Sequence, residues 1–230
     1  MQKRRQTVGK FPKPKTPGQE EYWDAIQRST VTIGVGPAGS GKTFLAVAAA
    51  IHALKTEQVR TLCFCRPAVE AVERLGYLPG DVTAKLAPYM RPLYDAIDDT
   101  LGTAAAEKLL GDRMIEVCAL AHMRGRTLKD AFIVLDEAQN TTPEQMKMFL
   151  TRIGMGSRAV VVGDPNQSDI RGPNGLADIV ELLEGGVEGV SVCHLTAVDI
   201  QRHPVVQRVV YAYEARALLA QGPELRAQNL

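Results

Sequence analysis

The stretch Gly36-Pro37-Ala38-Gly39-Ser40-Gly41-Lys42-Thr43 fills every fixed position of the pattern G-x-x-x-x-G-K-[ST]. Before it runs the short apolar segment Val31-Thr32-Ile33-Gly34-Val35, and after it nearly every residue from Phe44 to Lys55 is apolar. A buried strand ending in a glycine-permitted turn, followed at once by a helix, is the context in which such a loop binds phosphate. Its backbone N–H groups face inward, and the positive end of the helix points at the same spot. A nucleoside triphosphate, by default ATP, is the expected ligand, held by Gly36, Pro37, Ala38, Gly39, Ser40, Gly41, Lys42 and Thr43. Lys42 would reach the β and γ oxygens and so serve catalysis, and the Thr43 hydroxyl would ligate Mg²⁺.

Working outward, the segments 31–35, 59–65, 114–118, 131–135, 159–163 and 190–195 are apolar and strand-like, with helical patterns between them. This alternation predicts an α/β fold with a mainly parallel sheet covered by helices on both faces. Thr142-Pro143-Glu144-Gln145 reads as a capping box opening a helix whose Met146, Phe149, Leu150 and Ile153 share a face, with Gly154 as its end. The stretch 70–111 contains the turn Leu75-Gly76-Tyr77-Leu78-Pro79-Gly80, then Pro88, Pro92 and the acids Asp95, Asp98 and Asp99. It predicts short helices in an excursion between two strands. A last helix is expected over 205–219, with a frayed end at 221–230.

A second motif completes the nucleotide chemistry. Phe132-Ile133-Val134-Leu135-Asp136-Glu137 is a buried strand ending in two carboxylates, as a Walker B element must be. Asp136, at the strand tip, would bind Mg²⁺ through water, and Glu137, one residue further out, would orient or deprotonate the attacking water. A third strand runs into Gly163-Asp164-Pro165-Asn166-Gln167. It places polar groups at the carboxyl edge of the sheet, where ligands of open α/β sheets bind. Gln167 can donate to a γ-phosphate oxygen and accept from the lytic water; the same residues also fit an Asp-Pro-Asn turn.

Composition narrows the class. With 230 residues and 45% hydrophobic content the chain suits one large α/β domain. No apolar stretch approaches the roughly 18 residues that span a bilayer, and the N-terminus has no signal-peptide core, so a cytoplasmic protein is expected without membrane contact. Cys63, Cys65, Cys118 and Cys193 have no C-x-x-C spacing and sit in apolar runs, as reduced buried thiols do. His52, His122, His194 and His203 have no metal-ligand spacing with one another. Net charge is only +1, yet Lys3, Arg4, Arg5, Lys10, Lys13 and Lys15 all precede the first acid, Glu20. With Pro12, Pro14 and Pro17, they make residues 1–15 a basic, extended, flexible arm that either solvates the terminus or meets nucleic-acid phosphates.

Taken together these residues resemble the PhoH-like family of P-loop ATPases, related to the first RecA-like lobe of superfamily 1 helicases. The resemblance includes Arg66-Pro67-Ala68-Val69-Glu70, Leu75-Gly76-Tyr77-Leu78-Pro79-Gly80-Asp81 and Pro88-Tyr89-Met90-Arg91-Pro92-Leu93-Tyr94-Asp95. It continues through Met123-Arg124-Gly125-Arg126-Thr127-Leu128, Asp136-Glu137-Ala138-Gln139-Asn140-Thr141-Thr142 and Phe149-Leu150-Thr151-Arg152-Ile153-Gly154 to Arg202-His203-Pro204, and covers roughly 16–214. The chain departs from the family after Gly163-Asp164, where Pro165-Asn166-Gln167-Ser168-Asp169-Ile170-Arg171 stands in place of the more usual Gln-x-Asp-Leu-Pro. The resemblance implies a RecA-like ATPase domain over 16–220, without the extra N-terminal domain or fused nuclease of some relatives.

It further implies that the lobe is completed in trans. Helicases of superfamily 1 close two lobes on ATP and the second supplies an arginine, so a single lobe predicts a head-to-tail homo-oligomeric ring, with six as the family-like number, or else a slow switch. Arg124, Arg126, Arg152 and Arg202 are the candidate fingers, with Arg202 first. Arg66, with Arg124 and Arg126, would contact single-stranded RNA or DNA. Gln19 lies where helicase-like ATPases place an adenine-reading glutamine, but Thr16-Pro17-Gly18-Gln19 equally fits a capping box in which Gln19 folds back on the Thr16 amide. Two functions follow: an ATPase that remodels single-stranded nucleic acid, or an ATP-dependent switch that recruits a nuclease or ribosome-linked partner. A small-molecule kinase fits less well, because Glu137 beside Asp136 suits water activation.

Overall fold

The computed structural model describes residues 13–67, 82–183 and 185–201, together with 205, 208, 209 and 216; for residues 82–86 it describes the backbone alone. Arg202, the turn at 75–80, the tail 221–230, residues 1–12 of the basic arm and most of the expected last helix lie outside the described residues.

Six parallel strands make the sheet: β1 (Val31–Val35), β2 (Thr61–Arg66), β3 (Ile115–Ala119), β4 (Ala131–Leu135), β5 (Arg158–Gly163) and β6 (Val190–His194), in the order β3-β2-β4-β5-β1-β6. The central strands read as unbroken apolar runs because helices cover both of their faces. Alternate residues divide between two cores. Phe132, Val134, Val160 and Val162 face one way, while Ile133, Leu135, Ala159 and Val161 face the other.

The first core is capped by α1 (Pro17–Arg28), α2 (Lys42–Lys55), α3 (Val82–Leu101) and α4 (Thr103–Gly111); the second lies under α5 (Pro143–Leu150) and α6 (Gly175–Leu183). Helix α2 is buried along almost its whole length, from Leu45 to Leu54, as its lack of a polar face requires. Helix α1 packs closely on the sheet beside it: a Cβ on Gly34 of β1 would stand 2.7 Å from the Tyr22 ring.

Two expectations are corrected. The excursion between β2 and β3 is not built of short helices alone: among the described residues it holds α3, a helix of 20 residues that contains Pro88 and Pro92, followed by the short α4. Met90, Leu93 and Ile97 are buried at helical spacing, and that apolar contact sustains the helix through two positions that lack amide protons. Helix α5 opens with the capping box formed by Thr142 and Gln145, but it ends at Leu150 with Thr151 as its cap, short of Gly154. Gly154 instead lets two loops meet: its N–H donates to the Leu128 carbonyl at 2.7 Å, and a Cβ there would stand 2.4 Å from that oxygen.

All strands run parallel with aligned ends, pairing Val35 with Gly163 and His194, and Leu135 with Cys65 and Val161. Their carboxyl ends therefore form one edge, with β5 between the strand that feeds the glycine-rich loop and the strand that carries Asp136. No helix among the described residues is long and apolar enough to cross a membrane. The four cysteines are buried and free.

Candidate nucleotide-binding site

The loop after β1 closes around the Lys42 ammonium. Lys42 Nζ donates to the Gly36 carbonyl at 2.6 Å and to the Pro37 carbonyl at 2.9 Å, and Ser40 Oγ lies 3.5 Å away. Two glycines make this turn possible. Gly36 passes so close to the Leu195 carbonyl that a Cβ would stand 2.4 Å from its oxygen, and Gly41 caps α2 in the left-handed region at φ 85°.

The first residues of α2 then face the tip of β4. The Thr43 hydroxyl donates to Asp136 Oδ1 at 2.7 Å, and Asp136 is 2% exposed. A hydroxyl and a carboxylate side by side at the start of a helix are the oxygen donors that a P-loop offers Mg²⁺. The described residues contain no cluster of three or more His, Cys, Asp or Glu that could hold a metal. A cation here would therefore take its remaining ligands from the nucleotide and water, as Mg²⁺ does. Thr43 and Asp136, the pair expected from sequence, fit that ion.

Glu137 is held in an unusual conformation. Its backbone is left-handed at φ 55° and ψ 40°, a region that costs a non-glycine residue on the order of 1–2 kcal/mol. The turn swings its half-exposed carboxylate toward the cavity, where Oε2 accepts from Gln139 Nε2 at 2.6 Å. Gln139 is 2% exposed and is the hub of this edge: its Oε1 accepts the Asp164 N–H at 3.2 Å. A Cβ on Gly163 would stand 2.4 Å from that oxygen, so this β5 terminus requires glycine. Gln167 lies on the same cavity and donates from Nε2 to Asp164 Oδ2 at 2.8 Å. The cavity holds about 270 Å³, and Lys42, Thr43, Asp136, Glu137, Gln139 and Gln167 all line it. A larger cleft of about 710 Å³ borders the far side of the loop between α6 and β6, but it includes neither Lys42 nor the two carboxylates.

The arginines are more heavily engaged than their spacing implies. Arg66 leaves the end of β2 and crosses to β4, where Nε donates to Asp136 Oδ2 at 2.7 Å and Nη2 donates to the same oxygen. Nη2 also lies 3.6 Å from Glu137 Oε1, and Nη1 donates to the Tyr89 carbonyl of α3 at 2.8 Å. Arg126 makes a two-pronged pair with Glu116, at 2.8 and 2.6 Å. That pairing holds the Glu116 carboxyl below its usual range and raises the guanidinium. Arg152 folds onto carbonyls of Met148 and Arg126. Arg124 is exposed. No arginine of the described residues lines the nucleotide cavity.

Gln19 is buried beneath the loop. Its Nε2 donates to the Ser40 carbonyl at 3.0 Å and to the Asp199 carbonyl at 3.3 Å, and its Oε1 accepts the Lys15 N–H at 2.9 Å. Only half of the expected capping box forms: Thr16 accepts the Gln19 N–H, but the Gln19 side chain turns to the loop and away from the Thr16 amide. Asp199, unnoticed in the sequence, clamps the same corner by accepting from the Thr16 hydroxyl and from the Thr196 N–H. Gln201 N–H reaches the Gly39 carbonyl at 2.9 Å, so the chain after β6 braces the loop as well.

The model of the family described as PhoH-like protein matches residues 12–214. The chain belongs to the PhoH-like family. A PhoH-like protein of Mycobacterium bovis is 54% identical over 207 residues, covering 89% of this chain and 58% of that protein. One from Bacillus subtilis is 51% identical over 208 residues, covering 90% and 65%, and the protein PhoH of Escherichia coli is 40% identical over 199 residues, covering 85% and 56%. The chain thus spans less than two thirds of the length of these relatives. Among solved structures, the Sulfolobus solfataricus SWI2/SNF2 ATPase core in complex with dsDNA aligns with TM-score 0.44 and 14% identity, over 81% of this chain and 45% of that one. The PhoH-like chain places its glycine-rich loop and two strand-end carboxylates around one cavity at the edge of a six-stranded parallel sheet.

Proposed function

We propose that the protein binds Mg²⁺·ATP in the glycine-rich loop and hydrolyses it, coupling turnover to the binding or remodelling of single-stranded nucleic acid. The observation that carries the hydrolytic reading is the placement of Thr43, Asp136 and Glu137 around one cavity with the Lys42 ammonium in the loop beside them.

Lys42 and the loop amides would bind the β and γ phosphates, and Thr43 with Asp136 would hold the cation. When bound, Mg²⁺ would neutralise the charge that builds on the phosphate oxygens. Glu137, presented by its left-handed turn and oriented by Gln139, would align the attacking water and accept its proton. Gln167 would sense the γ-phosphate from the rim. Among the described residues no arginine lines the cavity, which supports a finger supplied from outside them, by Arg202 or from a neighbouring subunit of a head-to-tail hexamer. With Arg66 and Arg126 bonded to acids, Arg124 is the freest of the three arginines expected to contact nucleic acid.

Steady-state ATP hydrolysis with and without single-stranded RNA, across a salt series, tests this function. Turnover that RNA raises and salt progressively uncouples is the expected outcome, because phosphate contacts release counterions. Turnover indifferent to RNA and DNA at low salt would remove the coupling and favour a switch that recruits a nuclease or ribosome-linked protein. For the finger, Arg202→Ala should bind ATP normally and lose turnover; unchanged turnover would exclude Arg202.

A further inference from the structure

We propose that Arg66 is a relay between the nucleotide site and a binding surface for single-stranded nucleic acid centred on Tyr89. The proposal rests on the nucleic-acid-coupled reading above and deepens it by naming the surface and the physical link.

The link is made of direct contacts. Arg66 is 13% exposed and its fork is fully directed: Nε and Nη2 to Asp136, Nη2 toward Glu137, Nη1 to the Tyr89 carbonyl. Asp136 Oδ1 meanwhile accepts from Thr43, so the carboxylate that would hold the cation also holds the arginine. Because a guanidinium is planar and rigid, a shift at its Nη1 end moves its Nε end on Asp136. The helix lacks a backbone hydrogen bond at the point it grips. Pro92 gives no amide proton to the Pro88 carbonyl, and its ring crowds the turn that contains Tyr89. Arg66 supplies a charged donor to the neighbouring carbonyl and so sets the position of that turn.

The outer surface of the same turn has the chemistry of a stacking platform. The inner side of α3 is satisfied by Met90, Leu93 and Ile97, all buried, while Tyr89 is 41% exposed and Pro88 and Pro92 beside it are exposed too. Tyr89 and Pro92 stand three residues apart and share a face of the helix. An exposed aromatic ring flanked by apolar pyrrolidine rings accepts any base by its π-face, the sequence-tolerant mode of single-strand binding. Its backbone is one hydrogen bond from an arginine that touches both carboxylates of the nucleotide site. Arg66 thus acts on nucleic acid through the Tyr89 turn, without itself meeting the phosphates.

The test is fluorescence anisotropy of labelled oligo-U and oligo-dT on the full chain, with and without Mg²⁺ and a non-hydrolysable ATP analogue. Tyr89→Ala should weaken oligonucleotide binding about 5-fold or more, the low end of one lost base stack, and Tyr89→Trp should retain it. In the wild type the analogue should shift oligonucleotide affinity by about 5-fold or more, and the oligonucleotide should shift analogue affinity by the same factor. Arg66→Lys keeps the charge, but one ammonium cannot span Asp136 and the Tyr89 carbonyl in that fork geometry. It should reduce the coupling, taken as the ratio of oligonucleotide affinities with and without the analogue, to below about 2-fold. Wild-type affinity in Tyr89→Ala, or full coupling in Arg66→Lys, would overturn the proposal. A wild type that binds neither oligonucleotide at low salt would remove the underlying reading, and the proposal with it.

Discussion

Replacing Gln139 with leucine separates the work of this buried amide from its volume. The side chain is 2% exposed, so leucine fills nearly the same space. Of the three bonds lost, two are the shorter: Nε2 to Glu137 Oε2 at 2.6 Å, and Oε1 from the Asp164 N–H at 3.2 Å, the third being Nε2 to the Gln167 carbonyl at 3.5 Å. The second loss strands a buried backbone donor, which costs about 1–3 kcal/mol of stability. The first frees a carboxylate whose left-handed backbone already stores strain. A hydrogen bond to a charged group contributes about 1.5–3 kcal/mol. If that energy orients Glu137 toward the water in the transition state, kcat falls on the order of 10- to 100-fold. The affinity for ATP is proposed to depend instead on Lys42 and the loop amides, so KM should change by less than about 3-fold, a loss confined to the transition state. Coupled-enzyme turnover, fluorescent-nucleotide binding and a urea melt measure the three quantities on one preparation. A kcat within about 2-fold of wild type in a folded protein would refute the positioning role.

Other perturbations report on neighbouring parts of the account. Gln19→Ala removes the bonds to the Ser40 and Asp199 carbonyls beneath the loop, and should destabilise by about 1–3 kcal/mol in a urea melt; if ATP and GTP turnover both stay unchanged, its expected adenine-reading role falls. Lys42→Ala should abolish detectable nucleotide binding in a fluorescence titration, and retained affinity would contradict the assignment of the loop. For Glu116, folded-state pairing with Arg126 lowers the carboxyl pKa, so the pair stabilises the fold above the unfolded value of about 4.3 and loses its effect as pH falls through the folded value. The melting-temperature gap between wild type and Glu116→Gln should therefore be present at neutral pH and close in acid. Because both side chains are more than a third exposed, the gap should correspond to no more than about 1 kcal/mol; a gap that widens in acid would reverse the sign of the argument.

The sheet was legible because its physics is local. Parallel strands buried on both faces appear as apolar runs, and residues 31–35 and 131–135 match β1 and β4 residue for residue. The loop and its two carboxylates were legible for a related reason, since glycine, lysine and acidic residues at strand ends have few other uses. Helix α3 was read as broken because Pro88 and Pro92 dominate its local propensity, whereas the burial of Met90, Leu93 and Ile97 is a tertiary effect. Arg66 and Asp136 are 70 positions apart and meet only because β2 and β4 are neighbours in register. Gln139 was within a quoted motif, yet its function depends on a side chain that turns back between two strand ends. Asp199 and Gln19 brace the loop through contacts across more than 170 residues, which no spacing rule encodes. The only sequence trace of Asp199 is the Thr196-to-Asp199 capping spacing.

The central claim is that Glu137 activates water against ATP held by the loop. Glu137→Gln preserves the shape of the side chain and removes its basicity. Turnover by this variant, measured with its ATP affinity, is the most direct test. Wild-type affinity with kcat reduced by about 100-fold or more, the usual contribution of a general base, is the expected result; hydrolysis near the wild-type rate would exclude Glu137 as the base.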